Sequence, residues 1–405
     1  MFIFCNKKLT LRLEDICFVK SFTFNMTTVL NSRIGIRNLG NTCFLNAVLQ
    51  AFRITPAMGR IFLTDVARTA RTDSKRGKLM EAFQVLIRDF WKHIPGTNLS
   101  VMAPNGFIHT FHMTLRATDD DWYIPGQQAD SAETIQYILD SLHDSMYRRV
   151  GMDVTGVANT VEEAQQLRAL TSWSDFYRKE YSDIVAQFHG QTQAKIICSV
   201  CGTVSERYEP WLMIKCPIPG ANVVGGPVPT LKTCLDGAFD SENIEDYHCD
   251  ICKVKTKATL RTRISRLPPT IILSFKRFTN ENVKVRGKIE WDLESTDFTP
   301  WMAFPRDPFK GARDHPIYES YAVIEHLGSA RGGHYRMYAK QNTDWIEYDD
   351  DSARSVPAES VVTSDSYIVF MTLKRTFEHD KKEFAEQVHA IRTAAHKPSE
   401  AAVPA

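Results

Sequence analysis

The sequence of 405 residues lacks both a membrane-spanning stretch and an excess of basic residues. No apolar stretch approaches the roughly 20 residues of a membrane-spanning helix, so we expect no membrane association. Lys and Arg number 49 against 48 Asp and Glu, so the composition does not indicate a nucleic-acid partner. The first 25 residues mix charges with short apolar clusters and lack the pattern of a signal peptide. We therefore expect residues 1–32 to form a poorly ordered N-terminal extension.

A disulfide framework is not indicated either. The chain has nine cysteines, an odd number, and four of them fall in two close pairs. Such usage is typical of a reducing compartment and predicts a cytoplasmic or nuclear location. With 43% hydrophobic residues the chain can bury a large core, in one large domain or two ordinary ones. Four cysteines outside the pairs are expected to be apolar residues: Cys5, Cys17, Cys216 and Cys234.

The stretch from residue 35 to residue 56 places a single cysteine, Cys43, at a predicted helix start. Before it the sequence is rich in Gly and Asn, which suits a tight loop. Pro56 ends the helical pattern. A thiol at the positive end of a helix dipole favours the thiolate, although a lone cysteine is more often a small buried residue. The apolar residues that predict the helix are Phe44, Leu45, Val48, Leu49 and Phe52.

Two further helices are predicted in the N-terminal half. Apolar residues recur at helical spacing from Leu79 to Ile94, where a Pro-Gly pair ends the pattern. The turn-rich segment 97–126 is expected to be a surface loop. Asp130 and Glu133 then have the spacing of a capping box, and apolar residues on one helical face follow.

Two Cys-x-x-Cys pairs predict a metal site. Cys198 and Cys201 form one pair, and Cys249 and Cys252 form the other. Four thiolates match a closed tetrahedral zinc site, which would join two distant parts of a sheet. A redox pair is the competing interpretation, but neither pair begins a helix in a βαβ unit. Four independent thiols are the remaining alternative.

The C-terminal third has the alternation of an antiparallel sheet. His334 begins a strand after two glycines, and Asp349 and Asp350 end what should be the neighbouring strand. Each acid or histidine alone could be a surface residue. Together with an activated cysteine they compose a Cys/His/Asp set. The predicted strands are residues 270–278, 318–326, 334–340 and 366–373.

These motifs, in this order, resemble the ubiquitin-specific proteases, a large family of papain-like cysteine deubiquitinases. The cysteine motif reads Asn-Leu-Gly-Asn-Thr-Cys-Phe, and the histidine motif reads Gly-Gly-His-Tyr followed by Trp-Ile-Glu-Tyr-Asp-Asp. Phe-His-Gly-Gln before the first cysteine pair and Ser-Phe-Lys-Arg-Phe after the second also match. The resemblance covers roughly residues 33–375.

The resemblance implies roles for the candidate catalytic residues. Cys43 would be the nucleophile and His334 the general base, with Asp349 orienting the imidazole. Asn38 would donate to the oxyanion. Asp350, the next acid, would share the orienting role. The reaction would be hydrolysis of an isopeptide or peptide bond at the ubiquitin C-terminus through a thioester, because a thiolate attacks the carbonyl and the histidine protonates the leaving amine.

The resemblance also implies contacts with the ubiquitin tail. The expected substrate-binding residues are Gln128, Gly332, Gly333 and Tyr335. The sequence departs from the family pattern at Ala129, where a second glutamine is common, so the contribution of Gln128 to tail binding is open.

An α+β fold follows from the resemblance, with a helical thumb, a β-rich palm and β-fingers clipped by one structural zinc ion. The catalytic domain would span residues 33–375, with fingers at approximately 190–275. Residues 376–405 would form a C-terminal helix, over 377–396, and a tail. The expected partners are ubiquitin and ubiquitinated proteins, bound by a monomer.

Two other functions remain open. The chain could be a catalytically silent ubiquitin-binding scaffold of the same fold, or it could process a ubiquitin-like modifier. The sequence does not indicate which ubiquitinated protein is cut, which chain linkage is preferred or whether a partner activates the enzyme.

Overall fold

The computed structural model describes most of the chain between residues 33 and 374. The described residues are 2–5, 9–14, 33–63, 74, 76–92, 100–118, 122–220, 226–279, 281, 283–304, 316–329 and 332–374. The predicted C-terminal helix over 377–396 lies outside them, as does most of the predicted N-terminal extension. In that extension the structure describes two short strands, β1 (Phe2–Cys5) and β2 (Leu9–Glu14).

Helices dominate the first part of the chain. The helix predicted to begin at Cys43 is confirmed, and every one of its residues is buried. It ends before the extended Thr55, and a new helix begins at Pro56 because proline suits a first helical turn. The helices of this part are α1 (Cys43–Ile54), α2 (Pro56–Leu63), α3 (Gly77–Lys92), α4 (Asn105–Ala117) and α5 (Ser131–Met146).

Helix α4 corrects the expectation that 97–126 is a surface loop. Phe107, Phe111 and Leu115 recur every four residues and are buried against the other helices. The short apolar period inside a turn-rich segment is the signal that the sequence interpretation missed. The helix predicted after Asp130 is confirmed as α5, and the Asp130 side chain caps it by accepting from the Ala132 N–H.

The remaining elements alternate short helices and strands. They are β3 (Gly35–Ile36), β4 (Val101–Met102), β5 (Gly151–Gly156), α6 (Val161–Tyr177), α7 (Asp183–Phe188), β6 (Gly190–Cys198), β7 (Val204–Trp211), β8 (Ile214–Cys216), α8 (Leu231–Ala238), β9 (Glu242–His248), β10 (Lys255–Arg266), β11 (Thr270–Phe275), β12 (Thr296–Asp297), β13 (Ile317–Ser329), β14 (Gly332–Gln341), β15 (Asp344–Asp349), β16 (Ser352–Val356) and β17 (Ser366–Leu373). Two 3₁₀ turns, Thr299–Trp301 and Ala358–Ser360, complete the described elements.

The C-terminal strands form the palm, a sheet in the order β16-β15-β14-β13-β17-β11-β8, with β12 paired to β13. Successive residues of its strands face opposite sides, as the period of two predicts. On β17, Ile368 and Phe370 pack toward the helices around α1, whereas Val369 and Met371 pack into a second core that includes α8. The four strands predicted from alternation are confirmed within a few residues, and 366–373 matches β17 at both ends.

A second antiparallel sheet, in the order β7-β6-β10-β9, extends from the palm. The first cysteine pair lies at the turn from β6 to β7, and the second lies between β9 and β10. A third small sheet of β1, β2 and β5 packs on α6, and β3 pairs with β4. Among the helices in the described parts of the chain, none is long and apolar enough to cross a bilayer.

Candidate active site

The turn before α1 is held by the side chain of Asn38. Its Oδ1 accepts hydrogen bonds from the backbone N–H groups of Gly40, at 3.0 Å, and Thr42, at 3.2 Å. Gly40 has φ +102°, a left-handed conformation that glycine adopts without steric cost. The tight loop predicted from the Gly- and Asn-rich sequence therefore delivers Cys43 to the first position of α1.

Asp350 joins this loop to the palm. Its Oδ2 accepts from Asn38 Nδ2 and its Oδ1 accepts from Asn46 Nδ2, each at 2.8 Å. Asp350, which we expected to share the role of Asp349, bonds these two amides, and one of its carboxylate oxygens lies within 4.8 Å of a His334 ring nitrogen and an Asp349 oxygen. A carboxamide nitrogen carries two hydrogens, so Asn38 can donate one to Asp350 and one to a substrate oxygen. The sequence interpretation missed Asn46, whose signal is a polar residue among the apolar residues of the first turns of α1.

His334 lies between Cys43 and Asp349. Because β14 and β15 are antiparallel neighbours, the His334 Nε2 comes within 2.5 Å of an Asp349 carboxylate oxygen. The imidazole also lies near enough to the Cys43 thiol for that thiol to raise the imidazole pKa. Asp349, and to a smaller extent Cys43, raises the pKa of His334 to about 10, and His334 lowers the pKa of Asp349. The imidazole therefore holds a proton beside the sulfur.

Close packing requires the glycine directly before His334, and the backbone conformation favours the glycine before that one. A Cβ on Gly333 would lie 1.9 Å from the carbonyl oxygen of Leu327 and 2.7 Å from the ring of His326. Gly332 has φ +154°, at the edge of the left-handed region. A side chain at Gly333 would push the start of β14 away from β13 and displace His334.

Gln128 contacts both sides of the site. Its Oε1 accepts from the Gly333 N–H at 2.8 Å, and its Nε2 donates to the Gly333 carbonyl. The same Nε2 lies 3.7 Å from the Cys43 sulfur. The sequence placed Gln128 and Gly333 in one substrate-binding set, and the structure places them in contact with each other.

Tyr335, also predicted to bind substrate, is only 4% exposed. Its ring packs on His326, with 4.6 Å between ring centroids. Its side chain therefore supports the palm from inside. Nearby, the Tyr367 hydroxyl donates to Asp130 at 2.6 Å and so links the palm to the start of α5. In the sequence Tyr367 is one residue of an apolar strand pattern, and such a pattern does not indicate a bond from its hydroxyl to Asp130.

The four predicted metal-binding cysteines lie together. Their sulfur atoms all fall within 4.8 Å of one another. The Cys198 and Cys252 sulfurs are 3.9 Å apart, and those of Cys201 and Cys249 are 3.7 Å apart. A tetrahedral ion with metal–sulfur bonds of about 2.3 Å requires sulfurs about 3.8 Å apart, so this set fits zinc.

Comparison with known proteins gives consistent results. The family model for ubiquitin carboxyl-terminal hydrolases matches residues 34–371. Ubiquitin carboxyl-terminal hydrolase 2 of Bos taurus is 27% identical over 357 residues, which cover 84% of this chain and 55% of the relative. Ubiquitin carboxyl-terminal hydrolase 21 of Homo sapiens is 28% identical over 371 residues, 86% of this chain and 63% of the relative. The chain thus spans little more than half the length of these relatives.

Solved structures show the same fold. The SAGA DUB module of Ubp8, Sgf11, Sus1 and Sgf73 bound to monoubiquitin is similar with a TM-score of 0.65 at 20% identity, over 89% of this chain and 73% of that chain. This likeness confirms the predicted α+β architecture of thumb, palm and fingers. Because one family model runs from residue 34, before the cysteine loop, to residue 371 in the last palm strand, the chain belongs to the ubiquitin carboxyl-terminal hydrolase family.

Proposed function

We propose that this chain is a thiol-dependent deubiquitinase that hydrolyses the isopeptide or peptide bond at the C-terminus of ubiquitin. The observation that carries the proposal is the arrangement of Cys43, His334 and Asp349, in which His334 bonds Asp349 and interacts with the Cys43 thiol, within the segment that matches the hydrolase family. Similarity to a module whose solved structure contains monoubiquitin supports ubiquitin as the substrate.

The proposed reaction begins when the Cys43 thiolate attacks the carbonyl carbon of the last ubiquitin residue. The C=O electron pair moves to the oxygen, where the second Asn38 N–H and the backbone N–H of Cys43 stabilise the oxyanion. One such donor typically contributes on the order of 10²–10³ in rate. The oxyanion then collapses and breaks the C–N bond, and the His334 imidazolium gives its proton to the departing amine. A thioester remains on Cys43.

The second half of the reaction uses the same groups. His334, now neutral, takes a proton from water, and the resulting hydroxide attacks the thioester carbonyl. Collapse of this intermediate breaks the C–S bond, restores the thiolate and releases the ubiquitin carboxylic acid, which loses its proton to water. His334 remains as the imidazolium. Asp349 holds the imidazole in one orientation throughout, since its carboxylate oxygen is 2.5 Å from Nε2.

We also propose that the four clustered cysteines hold one structural zinc ion. The sulfur spacing supports it, as does a set of four thiolates that leaves no open position for a catalytic water. Zinc would join the turn after β6 to the turn after β9, at the end of the fingers sheet.

The proposed partners are ubiquitin and ubiquitinated proteins, bound by a monomer in the cytoplasm or nucleus. The free cysteines among the described residues are consistent with the reducing compartment that the cysteine pattern predicts.

A ubiquitin probe with an electrophilic C-terminus tests the proposed function. We expect one covalent adduct per chain, on Cys43, and none with Cys43→Ser. Matched probes made from ubiquitin-like modifiers run in parallel. Binding of ubiquitin without an adduct would indicate a silent scaffold, and an adduct with another modifier alone would replace ubiquitin as the substrate.

A further inference from the structure

A row of alternating charges crosses the palm beside His334 and Asp349. It consists of Glu325 on β13, Arg336 on β14, Glu347 on β15 and Arg354 on β16. Arg336 follows His334 by two residues, so both side chains lie on the same face of β14. Glu347 precedes Asp349 by two residues and shares its face of β15 in the same way. The charge row therefore occupies the face of the sheet that carries the histidine and its acid.

Arg336 connects three strands of the palm. Its Nε donates to a Glu325 oxygen at 2.6 Å, and its Nη1 donates to a Glu347 oxygen at 3.0 Å. Both glutamates are buried, with side chains 0% and 3% exposed. The planar guanidinium presents its donors in fixed directions, so this one side chain sets the spacing from β13 through β14 to β15.

The two glutamates have further partners that hold them in place. The Tyr338 hydroxyl lies 3.2 Å from a Glu325 oxygen and 3.4 Å from a Glu347 oxygen. Thr363 donates to Glu325, and Arg354 donates to Glu347. Because a buried carboxylate without partners is costly, these bonds keep both acceptors of the guanidinium in fixed positions.

The guanidinium bridge lies where the backbone pairing of β14 with β15 stops. Among the described residues the last backbone pair at this end is Met337 with Tyr348. Arg336 and Asp349 are the next residues along the two strands. Beyond the last pair, side chains join the strands, first through the guanidinium and then through the bond between His334 and Asp349.

Asp349 depends on such support because it is the last residue of β15. Its side chain is 38% exposed, so packing does not fix it. The guanidinium of Arg336 is close enough to contribute, after His334, to the lowered pKa of Asp349. If the end of β15 moved, the carboxylate would move away from the imidazole, and a misplacement of roughly 1 Å can cost about 10²-fold in rate.

We propose that Arg336 is a positioning residue of the reaction, which acts on His334 through Asp349. Its guanidinium, held by Glu325 and Glu347, fixes the end of β15 and keeps the Asp349 carboxylate against the imidazole. This bond in turn holds His334 in the orientation that proton transfer requires. The proposal rests on the proposed function for the reaction itself, whereas the bond between His334 and Asp349 can be observed without ubiquitin.

Arg336→Lys tests the bridge and keeps the charge. An ammonium group lacks the planar fork, so it cannot bond both glutamates in the same geometry. We expect kcat for a fluorogenic ubiquitin amide to fall on the order of 10-fold, because the histidine is misplaced. KM should change little, since Arg336 acts on the chemical step rather than on binding.

Lys340→Gln is the matched control. Lys340 lies on the same strand and bridges two carboxylates, Glu294 at 2.8 Å and Glu319 at 3.1 Å. Its neighbour on β15 is paired through the backbone, so the strands stay joined there without the side chain. Although this change removes a bridging cation entirely, kcat should equal the wild-type value.

A double-mutant cycle tests whether Arg336 acts through Asp349. If it does, kcat of the double variant Arg336→Lys, Asp349→Asn should lie within about 3-fold of kcat of Asp349→Asn. A loss equal to the product of the two single losses would overturn the proposal, as would an unchanged kcat in Arg336→Lys. A rise in KM alone would indicate a role in substrate binding and would overturn it too.

The proton between His334 and Asp349 gives a readout that needs no ubiquitin. In a charge-assisted bond of 2.5 Å this ring proton should resonate downfield of the backbone amides in NMR spectra of the full chain. We expect the resonance in the wild type and in Lys340→Gln. In Arg336→Lys it should broaden or disappear, because the loosened bond lets the proton exchange with water.

Glu347→Gln provides a second variant of nearly the same size. It keeps an acceptor oxygen for Arg336 but loses the charge, so the bridge should be weaker and kcat should fall by a few-fold. Thermal unfolding verifies that each variant is folded. An unchanged resonance in both folded variants would show that the charge row only stabilises the palm, and would overturn the proposal. If the resonance responds as expected but the wild type does not cleave the ubiquitin amide, the proposed function fails and the positioning of His334 by Arg336 stands.

Discussion

Asp350 should act on the reaction through Asn38, and a double-mutant cycle can measure this. Both Asp350 carboxylate oxygens accept from amide nitrogens, one from Asn38 and one from Asn46. In Asp350→Asn one of these oxygens becomes an NH₂ group, so one of the two amides loses its acceptor. Asparagine also suits the local backbone, because φ is +47° at this position and asparagine adopts positive φ more readily than most residues.

The structure sets the size of the effect. Removing an oxyanion donor costs on the order of 10²–10³ in kcat, which is the expected loss in Asn38→Ala. A hydrogen bond to a charged group contributes about 1.5–3 kcal/mol, and only part of it orients Asn38, because Oδ1 of Asn38 remains bonded to Gly40 and Thr42. We therefore expect kcat to fall roughly 10-fold in Asp350→Asn, with KM little changed.

The cycle compares Asn38→Ala, Asp350→Asn and the double variant in hydrolysis of a fluorogenic ubiquitin amide. If Asp350 acts through Asn38, kcat of the double variant should lie within about 3-fold of kcat of Asn38→Ala. Asp351→Ala is the control, since Asp351 makes a loose surface ion pair with Arg37 at 3.8 Å. If the loss in kcat of the double variant equals the product of the two single losses, the reasoning is refuted and Asp350 has an independent role.

Three further predictions follow from the site and the fingers. Asp349→Asn removes the largest cause of the raised His334 pKa, so the alkaline limb of kcat/KM should move from near pH 10 toward neutrality. The rate should also fall by a factor on the order of 10²–10⁴. If the alkaline limb does not move, Asp349 is not the residue that orients His334. Cys43→Ser should abolish turnover but retain ubiquitin binding in calorimetry, because a serine hydroxyl is far less ionised than a thiol; appreciable hydrolysis would exclude Cys43 as the nucleophile. Elemental analysis should find about one zinc per chain, and Cys249→Ser should weaken ubiquitin binding more than it changes alkylation of Cys43; a folded, metal-free protein with full activity would show four ordinary thiols.

The sign of the pH effect follows from the direction of the pKa shifts. His334 has a raised pKa in the folded state, so the stabilisation from its pairing is fully present below its ordinary value near 6.5 and is lost as pH rises through about 10. Asp349 has a lowered pKa, so its contribution is present above the ordinary carboxylate range and is lost as pH falls. The ion pair between His334 and Asp349 therefore persists between the lowered pKa of Asp349 and the raised pKa of His334.

Local patterns predicted the elements that carry the site. The apolar period after Cys43 predicted α1, and the alternation at 366–373 predicted β17 at both ends. These predictions succeeded because a buried helix face and a buried strand leave a period in the sequence itself. Helix α4 left the same kind of period, but neighbouring turn residues obscured it.

The contacts that define the site could not be predicted in the same way. Gln128 and Gly333 are 205 residues apart in sequence. The resemblance placed both near the ubiquitin tail, but only the folded chain shows that they bond to each other. Asp350 is similar, since its sequence position beside Asp349 suggested a shared role, whereas its left-handed backbone turns its carboxylate toward the thumb. Long-range geometry decided both cases.

The position of β17 in the palm has a consequence for how the enzyme is made. β17 lies between β13 and β11, and among the described strands it connects the part of the palm that carries His334 and Asp349 to β11 and β8. During synthesis Cys43 emerges early, but the palm sheet cannot be complete until residue 373 has left the ribosome. A chain that ends before β17 therefore carries Cys43, His334 and Asp349 without the strand that lies between β13 and β11. We therefore expect the proposed proteolytic activity to appear only after β17 has joined the sheet.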